Sequence, residues 1–73
     1  MTKDDLYFLI QTKTTHEFKY NGKVYNLLFD KDEKGEVIRF GLLYEEKPYK
    51  SFGELWNDAK IDNHFFREMI DIF

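Results

Sequence analysis

With 73 residues, a formal net charge of −3 and no cysteine, the chain has room for one core and excludes a disulfide framework or a thiolate zinc site. A domain this short buries only about 60% of the surface its unfolded chain exposes, so stability has to come from dense packing or from a partner. The packing material is eight Phe, five Tyr and one Trp, rings that can each bury roughly 150–250 Å².

A hydrophobic fraction of 42% with a single Pro and four Gly excludes a disordered composition. The longest apolar run, residues 6–10, is far short of the roughly 20 needed to cross a bilayer, so no membrane span is expected. The acidic start Met1, Thr2, Lys3, Asp4, Asp5 does not resemble a secretory signal, and with the absence of cysteine the expected setting is cytoplasmic. Charge is uneven along the chain. Residues 1–50 hold nine Lys/Arg and nine Asp/Glu, while residues 51–73 hold two against five. Nucleic-acid binding needs clustered cations to replace phosphate counterions, so this balance disfavours it.

In chain order, Thr2 with Asp4 and Asp5 reads as the start of a short N-terminal helix. Residues 5–11 suit that helix, although Tyr7, Phe8 and Ile10 would also suit a strand. From Thr15 the apolar period shortens to two. Asn21 and Gly22 are the pair most at ease at the positive φ of a two-residue type I′ turn, which predicts a hairpin with Tyr20 opposite Lys23, Phe18 opposite Tyr25 and His16 opposite Leu27. Its core face then holds Phe18, Tyr20, Tyr25, Leu27 and Phe29. After a polar turn at residues 30–36, residues 37–44 read as a third strand with Ile38, Phe40, Leu42 and Tyr44 inward. Tyr49 and Lys50 suggest a short fourth.

Ser51, Phe52, Gly53 and Glu54 match a capping box, predicting a helix over residues 52–60. Asp62 suits the cap of a second helix reaching Phe73, with Phe65, Phe66, Met69, Ile70 and Phe73 as its apolar stripe. One bent helix over 52–73 is the alternative. The expected architecture is α+β: an antiparallel meander of three or four strands, two C-terminal helices (or one bent helix) on one face and a short N-terminal helix, forming one domain over 1–73.

No constellation in the chain carries a recognisable chemistry. Asp30, Asp32 and Gly35 echo a calcium loop, but Lys34 stands where a ligand is needed and Gly41 where the bidentate carboxylate belongs. His16 and His64 lack zinc-ligand spacing, and no nucleophile is placed beside either. No metal, cofactor or small-molecule substrate is therefore expected, and the chain is not read as an enzyme.

The leading expectation is a small protein-binding or regulatory module acting through a protein partner or by self-association. Tyr44, Tyr49, Phe52 and Trp56 concentrate four large aromatics within 13 residues beside a Pro-containing turn, and surplus aromatics that reach the surface are the residue types of binding hot spots. The alternative is a nucleic-acid regulator using residues 52–70 as a helix-turn-helix, or the aromatic sheet face as a stacking platform.

Overall fold

The computed structural model describes residues 1–73 and has the expected α+β architecture. Helix α1 (Lys3–Gln11) is followed by β1 (His16–Tyr20), β2 (Lys23–Asp32), β3 (Gly35–Leu42) and β4 (Lys47–Tyr49), then helix α2 (Phe52–Asp58) and a small hairpin of β5 (Lys60–Ile61) and β6 (His64–Phe65). The first four strands form one antiparallel sheet in the order β1-β2-β3-β4.

Residues 5–11 are helical. Thr2 accepts a hydrogen bond from the Asp5 amide at 3.1 Å while the Asp5 carboxylate accepts from the Thr2 amide at 3.0 Å, so two amides that a helix start leaves unpaired are satisfied together. These bonds hold the Asp5 carboxyl below its ordinary range, the Thr2 backbone amide contributing most.

The first hairpin has the expected register, with Tyr20 opposite Lys23, Phe18 opposite Tyr25 and His16 opposite Leu27. Asn21 and Gly22 take φ of 53° and 76°, as a primed turn requires. Phe18 and Tyr25 accordingly share a face, with rings stacked 5.6 Å apart.

The third strand ends earlier than its alternation suggests. Leu42 accepts from the Glu45 amide at 2.8 Å, which closes a turn, and Tyr44 sits in it at φ 68°, 90% exposed rather than on the core face. This turn folds back over the outer face of the sheet. The Glu46 carboxylate accepts from the buried Asn26 side chain at 3.1 Å and from the Tyr44 amide at 3.2 Å, and the Glu46 carbonyl accepts from Arg39 at 2.9 Å. Gly41 makes this clasp possible: it adopts φ 147°, and a Cβ there would stand 3.4 Å from the backbone of Glu45 and Glu46.

The C-terminal segment departs most from expectation. Asp62 does not cap a helix. Asp62 and Asn63 occupy the two central positions of a second tight hairpin, at φ 50° and 69°, and both residue types tolerate this left-handed conformation. The chain then closes with two 3₁₀ turns, Phe66–Glu68 and Ile70–Ile72. Of the expected stripe, Phe66, Met69 and Ile70 are buried, because successive 3₁₀ turns also bring residues three and four apart onto one side.

The core lies between the inner sheet face and these elements. Leu6, Leu27, Phe40, Leu55, Ile61 and Phe66 are almost completely enclosed. Phe18 and Phe40 pack on Phe66, and Phe73 lies 4.0 Å from Phe18, so the C-terminal turns cover β1 and β3 while α2 rests on β3 and β4.

Candidate functional site

The four aromatics singled out by sequence do not converge. Tyr49 is buried opposite Ile38, where burial, reinforced by the Asp58 and Glu54 carboxylates, pushes its phenol up. Tyr44 protrudes from the turn across the outer face. Only Phe52 and Trp56 come together, one helical turn apart on α2, with rings 5.9 Å apart and nearly parallel.

Their partners come from the other end of the chain. Lys3 and Tyr7 have the same four-residue spacing on α1, and the helices meet in opposite directions: Tyr7 faces Phe52 at 5.2 Å and the Lys3 ammonium stands 5.0 Å above the Trp56 ring. A ladder of Tyr7, Phe52, Trp56 and Lys3 results, with Tyr7 43% exposed and Phe52 and Trp56 half-buried. The i, i+4 pattern was legible in each helix separately. That the two pairs would face each other was not, because nothing local links residues 3 and 7 to residues 52 and 56.

Two bonds set the α2 start. Ser51 accepts from the Glu54 amide at 3.1 Å as expected, but the Glu54 carboxylate reaches past Ser51 to accept from the Lys50 amide at 3.0 Å. The other end of α2 is held by Arg67, which donates to the Asn57 carbonyl at 2.8 Å while its guanidinium lies 4.3 Å from the Phe65 ring. The rung positions on α2 are thereby fixed at both ends.

Beside the ladder runs an open groove of about 650 Å³. It exists because β1 covers only half of β2: β1 pairs with residues 23–27 and leaves residues 28–32 unpartnered on that side. Ile10, Phe29, Val37, Ile38 and Phe52 give it an apolar lining, and Lys13, Lys31 and Lys50 stand among its charged groups with Asp30 and Glu36. Lys13 pairs with Glu36 and holds that carboxyl below its usual range.

A second recess of about 410 Å³ contains Tyr25, Tyr49, Glu45, Asp58, Asp62, Lys47 and Lys60. Burial, then the Asp62 carboxylate, raises the Tyr25 phenol. No histidine lines either recess: His16 lies 5.9 Å from the Phe18 ring and His64 stands exposed on β6. The Asp30 to Gly35 run forms the tip of the β2–β3 hairpin, where the Asp32 carboxylate accepts from the Lys34 amide at 2.8 Å. No three His, Asp or Glu side chains gather as a metal site.

Both elements of the nucleic-acid alternative are placed differently from its requirements. Residues 52–70 hold one short α-helix, a hairpin and a 3₁₀ turn, so Asn63, His64 and Arg67 do not share a recognition helix. The inner aromatic face of the sheet lies beneath the C-terminal turns. No helix is long and apolar enough to cross a membrane. Comparison with known proteins finds no protein family, no curated protein and no solved structure that matches the chain.

Proposed function

We propose that this domain is a small non-enzymatic protein-binding module, acting in the cytoplasm, whose docking surface is the ladder of Tyr7, Phe52, Trp56 and Lys3 with the adjoining groove. The observation that carries the reading is the meeting of two i, i+4 pairs on antiparallel helices. It holds aromatic rings in fixed, partly exposed positions, so a partner that covers them loses little side-chain freedom on binding. The groove extends the surface with apolar side chains and the cations Lys13, Lys31 and Lys50. A peptide segment carrying one apolar anchor flanked by carboxylates matches that chemistry.

The test is selection from a displayed peptide library, with Trp56→Ala and Lys50→Glu as counter-selections. Enriched peptides should combine an apolar anchor with acidic residues and lose binding to both variants. Labelled single- and double-stranded DNA and RNA serve as the competing ligands between 50 and 200 mM salt. Binding to these that weakens steeply with salt, with no peptide enriched, would replace the protein-binding reading by a phosphate-binding one.

A further inference from the structure

The sheet has two edges, and the pairing pattern decides what each offers. The Leu43 amide donates to the Val24 carbonyl at 2.9 Å, which sets the phase of the antiparallel ladder. Val24 and Asn26 therefore turn their peptide groups towards β3, and Tyr25 and Leu27 turn theirs towards β1. On β1 itself Phe18, His16 and Tyr20 bond inward to β2, which leaves the N–H and C=O of Glu17 and Lys19 pointing away from the sheet. On β4 the outward residue is Pro48, opposite Arg39, which has no N–H to offer. One edge is blunted and the other is open.

We propose that the open edge pairs with a second copy of this chain, β1 against β1, antiparallel about a two-fold axis at Phe18. The occupant follows from charge. In this register Glu17 stands opposite Lys19 of the second copy, and Lys19 opposite its Glu17, both pairs on the exposed outer face. These are the residues with free outward peptide groups, so each opposed pair exchanges backbone hydrogen bonds as well as charge. Sliding the pairing by one step of the pleat in either direction would set Glu17 against Glu17 or Lys19 against Lys19, which like-charge repulsion disfavours. A lysine on an edge strand ordinarily discourages pairing. Here it is matched by a carboxylate two residues away on the same strand, and the edge is self-complementary. On the inner face Phe18, Tyr20 and Phe73 are only partly covered within one chain, and the pairing would shield them further. This edge lies across the sheet from α2 and does not depend on the ladder.

A five-residue strand pair is a small interface, so the dimer belongs at the weak end of association. Sedimentation equilibrium from roughly 10 μM to 1 mM should show the mass rising from monomer towards dimer. Glu17→Lys and Lys19→Glu each place like charges in both opposed pairs and should raise the dissociation constant roughly tenfold or more. An equimolar mixture of the two variants restores opposite charges and should associate again, and the exchange variant carrying both substitutions should dimerise alone. Both residues are exposed, and thermal melts followed by circular dichroism should confirm that every variant folds. Amide exchange at Glu17 and Lys19 in the unmodified chain should slow as concentration rises. A chain that stays monomeric across the range, single variants that associate as the unmodified chain does, or a mixture that fails to associate would each overturn the proposal.

Discussion

The molecule holds two aromatic assemblies built from the same kinds of residue and enclosed to different degrees. In the interior, Phe18, Tyr25, Phe40, Phe66 and Phe73 interlock between the sheet and the C-terminal turns, with Phe40 and Phe66 4.5 Å apart and almost entirely enclosed. At the surface, Tyr7, Phe52 and Trp56 stack in single file between two helices and keep one side open. Phe40 and Phe66 are shut off from solvent, whereas Tyr7, Phe52 and Trp56 each keep part of their surface exposed, with Phe52 and Trp56 resting against the core on their other side. An aromatic-rich composition thus supplies both an enclosed cluster and a partly exposed one. Enclosure separates the two.

The largest effect that would sharpen this contrast is Phe66→Ala, which should cost about 3–5 kcal/mol in chemical denaturation because the enclosing rings cannot collapse into the space. Trp56→Ala should cost nearer ~1 kcal/mol. Equal losses would break the comparison. Ser51→Ala removes the cap that starts α2 and should lower the thermal midpoint by the equivalent of about 0.5–2 kcal/mol, shifting the indole resonance of Trp56 at the same time. A double-mutant cycle between Tyr7→Ala and Phe52→Ala should return a coupling of about 0.5–1.5 kcal/mol, and a value near zero would mean that the rungs stand side by side without supporting one another.

The smallest effect is in acid. The Glu46 carboxyl lies below its ordinary value of 4.5, owing first to its own backbone amide and then to the Asn26 side chain and the Tyr44 amide. Folded Glu46 binds its proton less readily than unfolded Glu46. Its contribution is therefore complete above about pH 4.5 and is lost as pH falls through the lowered folded value. Glu46→Gln should be destabilising at pH 7 and indistinguishable from the unmodified chain at low pH. An undiminished difference in acid would show that the clasp works through shape rather than charge, leaving the outer face as passive as the interior.

Much of this was readable where a local signal had one solution. Asn21 and Gly22 leave few alternatives to a primed turn, and every cross-strand partner of β1 follows from it. Asp62 and Asn63 carried a weaker version of the same message, overridden because aspartate also caps helices and because the spacing of Phe66, Met69, Ile70 and Phe73 suits an α-helix and a 3₁₀ run alike. Tyr44 followed the alternation of its strand on paper. In the structure Gly41 and the turn after Leu42 end the strand before Tyr44 is reached. The site was half legible for a different reason. Phe52 and Trp56 are near neighbours in sequence, but Lys3 and Tyr7 reach them only through the tertiary packing of α1 on α2.

Pro48 has a consequence for how far assembly can go. A sheet with two receptive edges propagates, since each added molecule presents a fresh edge to the next, and growth of that kind ends in fibres. With Pro48 occupying the outward position of a three-residue β4, this sheet can be extended from one side alone. Any association through β1 then occupies the outward peptide groups of β1 in both participants, and the β4 edge does not carry it further. In a pair formed through β1, the imino acid on the far rim would keep that rim from adding a further strand, and replacing it is the substitution by which a terminating pair would become an open-ended stack.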